Sequence, residues 1–192
     1  MSADLHIEIP IEGITLTTRL YAPTVWRSFS FAPEWFADAK VEAGLTGHRP
    51  RRREILFSVC AAESYMFEWV RDTALNHDFS LLATYFPPDS RRGVKEKFRE
   101  IPKALHKDGR IKSPLDCGGP EYADFNKLVD LRDGLVHASA SRPETSGQRP
   151  EERPVPSKDE LDSMQAGWAL EVVRTILEKL HNDTATAPPA WL

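Results

Sequence analysis

The pattern of apolar and polar residues changes along the chain, from alternation near the N-terminus to a helical period further on. Ile7, Ile9 and Ile11 alternate with glutamate or proline, which is typical of a half-buried strand. Gly13 suits a turn, and Pro10 cannot donate a ladder hydrogen bond, so its strand should lie at a sheet edge. We therefore predict a small N-terminal β-hairpin.

A short helix is predicted next, at residues 33–43. Pro33 suits the first turn of a helix, and Gly44 suits its end. The segment 47–53 reads GHRPRRR and breaks the apolar pattern, which indicates a boundary. Residues 1–50 are therefore interpreted as an N-terminal extension that consists of the hairpin and this helix.

Two longer helices are predicted from apolar positions that recur every three or four residues. The first covers about 52–76 and has apolar side chains around much of its circumference. Its most regular stripe consists of Ile55, Val59, Ala62, Met66 and Trp69. The second begins near residue 89, at Asp89 or Ser90, and ends at about 108. Pro102 is expected to kink or interrupt it, because proline removes a backbone donor.

Two further helices complete the predicted set. One covers about 121–140, and its core face consists of Phe125, Leu128, Leu131 and Leu135. Residues 141–156 hold four prolines among charged and small residues, which predicts a flexible loop. The last helix begins at Ser157, where Ser-Lys-Asp-Glu matches a capping box, and ends near residue 182. Residues 184–192 are expected to form a flexible tail.

Four helices joined by loops of this kind predict an all-α fold, an antiparallel four-helix up-and-down bundle. The bundle would comprise residues 51–183, with the small N-terminal β-hairpin and short helix as an extension. No internal repeat is visible in the sequence.

Composition limits the class of protein. The 192 residues are 41% hydrophobic, which is enough for a core. No run approaches the roughly 18 apolar residues that a membrane helix needs. The N-terminus has no basic region before an apolar run, so no secretion signal is expected. We therefore expect a cytoplasmic protein without a membrane partner.

Cofactor and metal sites are not expected. Two cysteines, Cys60 and Cys117, are too few for a disulfide framework or a metal cluster, and no phosphate loop, dinucleotide fingerprint or zinc spacing occurs. The net charge of -4 argues against a protein that simply coats nucleic acid, although it is compatible with a local basic face.

One motif in the predicted third helix suggests chemistry, the run Leu-Arg-Asp-Gly-Leu-Val-His at 131–137. Asp133 and His137 are four positions apart and share a helix face, so the carboxylate can orient the imidazole. Arg132 can donate two parallel hydrogen bonds to a phosphate. A proton acceptor, a proton donor and a cation are sufficient to cleave RNA without a metal.

Arg132 and His137 do not converge on a straight helix, because positions five apart point about 140° away from each other. Either Gly134 marks a local distortion, or a second copy completes the site. A two-fold dimer would bring two Arg/His sets to one cleft, and we favour this homodimer.

The arrangement resembles the HEPN superfamily, which consists of four- or five-helix domains with an Arg-polar-x3-His motif in a late helix. Here the motif extends from Arg132 to His137. The run Ala-Ala-Glu-Ser-Tyr at 61–65 also resembles part of an earlier helix of the family. The resemblance covers about residues 52–183. Many members are metal-independent endoribonucleases that act as dimers in toxin–antitoxin or defence systems.

The resemblance implies that Arg132 and His137 are catalytic and that Asp133 is the polar orienting residue. Active toxins of the family often have asparagine at the position of Asp133, and some members have lost activity and serve as binding modules. RNA, a second copy of the chain, and an antitoxin or other partner protein are the partners that the resemblance implies.

Other residues have both functional and structural interpretations. A basic face on the second long helix could follow RNA phosphates, although a solvated helix surface is the more common explanation. It consists of Arg92, Lys95, Arg99 and Lys103. Glu63 could support the site, or it could be a core carboxylate paired with an arginine. For the motif itself, the structural interpretation is an arginine paired with a nearby acid and a histidine in a core niche.

Two functions therefore remain open at this stage. The first is a metal-independent endoribonuclease that works as a homodimer. The second is a catalytically inactive HEPN-like module that binds RNA, a nucleotide or a partner protein. A purely structural protein is a third possibility, and it would be a monomer without a groove.

Overall fold

The computed structural model describes part of the chain in detail. Backbone is described for residues 6–11, 14–19, 31–75, 81–87, 92–137 and 155–192. Side chains are described for residues 31–72, 75, 81–87, 92–136 and 155–192. The chain divides into two compact units, Met1–Ser30 and Phe31–Leu192.

The first unit contains two strands, β1 (His6–Ile11) and β2 (Ile14–Arg19), which pair in antiparallel register. Ile9 lies opposite Leu16, and Pro10 lies opposite Thr15. Both strands of a two-stranded sheet are edge strands. Pro10 has no backbone N–H, but at an edge it interrupts no hydrogen bond of a central strand. The turn predicted at Gly13 lies outside the described residues.

The second unit is helical, and the all-α class predicted from the sequence is confirmed for it. Its α-helices are α1 (Ala32–Ala43), α2 (His48–Trp69), α3 (Leu82–Tyr85), α4 (Val94–Lys107), α5 (Pro120–His137), α6 (Lys158–Ser163) and α7 (Trp168–Thr184). A π-helical turn, Val70–Ala74, extends α2. Among the described residues, no helix combines the length and the apolar character that a membrane crossing requires.

The core of this unit lies where α2, α5 and α7 contact one another, with α1 against α2 and α7, and α4 against α2 and α5. The rings of Phe98 and Phe125 join α4 to α5, with centroids 4.6 Å apart. Trp69, Phe98 and Phe125 are among the largest fully buried side chains. Helices α4 and α5 thus have the core positions that the periodicity predicted, except that Leu131 is only half-buried.

The boundary predicted at 47–53 is wrong at the level of secondary structure, because α2 begins at His48. Arg51 is buried and forms an ion pair with Glu54, and Arg53 Nε lies 3.0 Å from Glu42 Oε1 of α1. The arginine-rich run is therefore helical, and two of its arginines are paired with acids on α1 and α2. Helix α1 belongs to the helical unit, because the chain divides after Ser30 rather than near residue 50.

The interruption predicted at Pro102 does not occur. Helix α4 continues through Pro102, which is buried with the core face of the helix. The helix begins at Val94, and the caps proposed at Asp89 and Ser90 lie outside the described residues. Burial of the proline ring compensates for the lost backbone hydrogen bond.

The predicted last helix is divided in two. Ser157 and Glu160 form the expected capping box, but α6 ends at Ser163 and α7 begins only at Trp168. Gly167 at the junction has φ +79°, the left-handed region that favours glycine. The apolar spacing continues across the break, so periodicity alone does not reveal it.

The expectation of a flexible tail is also wrong. Trp191 packs its ring against Phe36 and Tyr65, with centroid distances of 5.2 and 5.3 Å. Leu192 is also partly buried against the core. The loop predicted at 141–156 lies outside the described residues as far as position 154.

A buried polar network connects α2, α7 and the C-terminal segment. The Tyr65 hydroxyl and His181 Nε2 share a hydrogen bond of 2.8 Å, and His181 Nδ1 lies 2.7 Å from Thr186 Oγ1. Trp69 Nε1 donates to the same Thr186 oxygen at 3.3 Å. Burial raises the pKa of Tyr65 and lowers the pKa of His181, so both side chains are neutral in the folded protein.

Candidate functional site

Helix α5 carries the candidate catalytic motif. The helix is held by buried side chains at Tyr122, Phe125, Leu128, Val129 and Leu135. It continues as a regular α-helix through Gly134 to His137. The local distortion that could have brought Arg132 and His137 together is therefore absent.

Arg132 lies on the inner side of α5, and its side chain is only 23% exposed. Its Nε lies 3.2 Å from Asp133 Oδ1, which is an ion-pair distance, but the N–H is not directed at that oxygen. Among the described residues no acceptor forms a hydrogen bond with Nε. The guanidinium is thus neutralised by a neighbouring charge while one buried donor stays unsatisfied.

Helix α2 provides the surroundings of Arg132. Burial raises the pKa of the Cys60 thiol, the positive charge of Arg132 lowers it, and the negative charge of Glu63 raises it again. Glu63 Oε1 accepts a hydrogen bond of 2.5 Å from Lys97 Nζ of α4. Glu63 is therefore paired with a lysine, rather than with the arginine considered from the sequence.

The structure describes the side chain of Asp133 but not that of His137. The side chain of Asp133 is 21% exposed and lies beside Arg132. His137 is the last residue of α5, and its side chain lies outside the described residues. The four-residue spacing of the two remains the basis for pairing them.

The four basic residues predicted to contact RNA do not converge on the motif. Lys95 Nζ lies 2.5 Å from Asp130 Oδ1 of α5, Arg99 Nε lies 2.6 Å from Glu100 Oε1, and Lys103 Nζ lies 3.8 Å from that same oxygen. Arg92 is exposed and lies two residues before α4 begins. Lys95 thus has an ion pair to the motif helix, whereas Arg99 and Lys103 pair within α4.

An open, shallow groove of about 480 Å³ lies on the surface of α5. Its five lining residues all belong to that helix: Ala123, Asn126, Lys127, Asp130 and Leu131. Lys127 Nζ lies over the ring of Trp168, 5.6 Å from the centroid. We call this feature the α5 groove.

Asn126 was not singled out from the sequence. Its Oδ1 is buried and has no hydrogen-bond partner among the described residues. Four buried side-chain atoms share this condition, and two of the four lie on α5: Glu42 Oε2, Ser58 Oγ, Asn126 Oδ1 and Arg132 Nε. The available sequence signal was spacing, since Asn126 precedes Asp133 by seven residues and His137 by eleven, which keeps all three on one helix face.

Metal ligands are not assembled in the part of the chain that the structure describes. No group of three or more histidine, cysteine, aspartate or glutamate side chains is arranged to hold an ion there.

Comparison with known proteins adds no relatives. The chain matches no protein-family model, and neither a curated protein nor a solved structure is detectably similar to it. The resemblance to HEPN domains thus depends on the motif and on its position in a late helix.

Proposed function

We propose that this protein is a metal-independent endoribonuclease of HEPN type that acts as a homodimer in the cytoplasm. Arg132 would stabilise the charged phosphorane, His137 would transfer protons, and Asp133 would orient the imidazole. The ribose 2′-hydroxyl would give its proton to one imidazole and attack the adjacent phosphorus. The bond to the 5′-oxygen breaks, and that oxygen receives a proton from the second imidazole of the dimer. The products are a 2′,3′-cyclic phosphate and a 5′-hydroxyl.

The observation that carries this proposal is the Nε of Arg132, a buried donor that forms no hydrogen bond with the described residues although a carboxylate lies at ion-pair distance. A phosphate, like a carboxylate, can accept two parallel N–H bonds from a guanidinium.

Helix geometry supports the homodimer. Because α5 is continuous through Gly134, positions 132 and 137 differ by about 140° around the helix axis, which favours a site shared by two copies. We extend the proposal to an antiparallel up-and-down bundle of α2, α4, α5 and α7, with the paired strands β1 and β2 as a hairpin extension.

An inactive binding module is the second candidate, and specific contacts favour it. Arg132 lies at ion-pair distance from Asp133, and Lys95 and Arg99 are paired with carboxylates. Such pairs reduce the positive charge available to a phosphate. In this alternative the protein binds RNA, a nucleotide, an antitoxin or another partner protein without cleaving it.

The deciding experiment is cleavage of a panel of end-labelled RNAs in excess EDTA. Wild type is compared with Arg132→Ala, with His137→Ala and with the control Arg53→Ala, which removes an exposed arginine of α2. We expect wild type and Arg53→Ala to leave 2′,3′-cyclic phosphate ends and the other two variants to lose activity at least about a hundredfold. Equal activity in all four proteins would refute the assignment of the motif.

Sedimentation shows whether the same four proteins are dimers. Together with RNA binding and cleavage, the oligomeric state separates the two candidate functions. Dimers that bind RNA but do not cleave it would favour the inactive module. Monomers that cleave would contradict the shared site and require both groups in one chain.

A further inference from the structure

We infer that the α5 groove binds a single-stranded RNA nucleotide next to the cleaved bond, with Asn126 contacting the base and Lys127 contacting a phosphate. This inference rests on the proposed ribonuclease function and names a specificity site for it. The groove volume of about 480 Å³ falls in the range that small-molecule ligands occupy.

Asn126 is the residue that points to a base. Its amide carries one acceptor and two donors, and it can pair in two places with the edge of a nucleobase. In the structure its Oδ1 is buried without a hydrogen-bond partner among the described residues. A bound base would pair with the amide once the side chain turns toward the groove.

Charge around the groove fits a nucleic-acid strand better than a second copy of the chain. Lys127 is exposed on the lining, and Lys95 reaches the rim of the groove through its ion pair with Asp130. Lysine and aspartate are depleted at the centres of protein–protein interfaces. A phosphate that displaces the Asp130 carboxylate would gain two lysines at once.

The position of the groove determines which nucleotide it would hold. Asn126 lies six residues before Arg132, which is about 9 Å along the helix axis. The two positions also differ by about 120° around the helix, so they would not contact the same phosphate. A neighbouring nucleotide of the same strand could reach Asn126, and the site would therefore select sequence beside the cleaved bond.

Trp168 fixes the position of Lys127. Its ring is partly buried at the start of α7 and lies under Lys127 Nζ. A cation at 5.6 Å from an indole centroid is within the attractive range, so the lysine is held at the rim of the groove rather than extended into solvent. The groove lining thus includes a positioned cation, which is one of the groups that bind single-stranded nucleic acid.

The test measures binding without cleavage. The parent protein is His137→Ala, and its ligands are fluorescent hexanucleotides of A, C, G or U, titrated at three salt concentrations. Asn126→Ala and Lys127→Gln are added to this parent, with Asp124→Asn as a control on an exposed position of α5 outside the groove. Wild-type cleavage is measured in parallel.

We expect each groove variant to have its own signature. Asn126→Ala should weaken binding of the preferred base about tenfold and leave the other three unchanged. Lys127→Gln should weaken all four alike and reduce the salt slope by about 0.7, the value for one phosphate contact to a single strand. Asp124→Asn should match the parent.

Three outcomes would overturn the inference. Equal binding by all variants, with wild-type cleavage intact, would refute the groove and leave the ribonuclease standing. A loss of dimerisation instead of RNA affinity would make this face a contact between subunits. No RNA binding by the parent and no cleavage by wild type would remove both proposals together.

Discussion

Two polar regions of the helical unit differ in how completely their buried groups are paired. The first is the contact between α2 and α7, formed by Arg51, Glu54, Tyr65, His181 and Thr186, which we call the α2–α7 seam. In the seam Glu54 accepts from Arg51 through one oxygen and from the Ala169 backbone N–H through the other, at 3.1 Å for the latter. The imidazole of His181 has a partner at each nitrogen.

The second region is helix α5, where the pairing is incomplete. Arg132 Nε and Asn126 Oδ1 are buried without hydrogen-bond partners among the described residues. Both regions lie in the same core, so burial alone does not explain the difference. Most buried polar groups are paired within a fold, so each unpaired one needs an explanation, and for the two on α5 we propose a ligand.

The sharpest way to test this comparison is to break the seam at Glu54. Glu54→Ala leaves Arg51 buried without its partner and removes the acceptor of the Ala169 N–H, so we expect a loss of about 3–5 kcal/mol in the free energy of unfolding. Urea denaturation measures the loss. Glu171→Ala, which breaks the exposed pair with Arg174, should cost less than about 1 kcal/mol. Equal losses would show that the seam is no more important than the surface.

A smaller effect is expected from Tyr65→Phe. The substitution preserves the ring but leaves His181 Nε2 buried without a partner, which should cost about 1–3 kcal/mol. Denaturation of wild type and variant under identical conditions gives the difference. A cost near zero would mean that a water molecule replaces the hydroxyl as the partner of His181. Water would then have access to the buried seam.

Stability should also depend on pH through His181. Burial lowers the pKa of this imidazole in the folded protein, so the unfolded chain binds a proton first as the pH falls. The contribution is complete above the unfolded pKa of about 6.5 and is lost below it, by at most about 1.4 kcal/mol per pH unit. We expect the midpoint temperature of wild type to fall between pH 7 and pH 5 more steeply than that of His181→Gln. Parallel curves would contradict this role.

The smallest effect is expected on α5. Asn126→Ala removes an unpaired acceptor and introduces a better helix former, so stability should stay within about 0.5 kcal/mol of wild type or rise. The same urea measurement decides it. A loss above about 1 kcal/mol would show that Asn126 is already paired in the folded protein, and the contrast between the two regions would disappear.

The sequence predicted the core faces of α4 and α5 well because each has a narrow apolar stripe, but it began α4 at residue 89 or 90 rather than at Val94. It predicted the start of α2 poorly, since Arg51 looks like a loop residue until its buried ion pair with Glu54 is known. The break at Gly167 was missed because Met164 and Trp168 keep the helical spacing across it. Periodicity records which residues are apolar, but it does not record backbone dihedrals or the partners of charges.

The candidate site was predicted in part. Arg132 and Asp133 are adjacent in sequence, and their proximity required no folding to foresee. Asn126 and the groove depend on which face of α5 the other helices leave uncovered, and this is decided by contacts with α2, α4 and α7. Lys95 pairs with a residue of α5, while Arg99 and Lys103 pair with Glu100. The sequence could not predict this difference, because all three are basic residues on one face of the same helix.

The stacking of Lys127 on Trp168 has an optical consequence. Indole emission responds to charges close to the ring, and the ammonium lies above this ring without any ligand present. A ligand that draws Lys127 into the α5 groove would therefore change the colour or intensity of Trp168 fluorescence. The difference in fluorescence between wild type and Lys127→Gln separates the Trp168 signal from that of the other tryptophans. Ligand binding to the α5 groove can therefore be titrated without an added fluorophore.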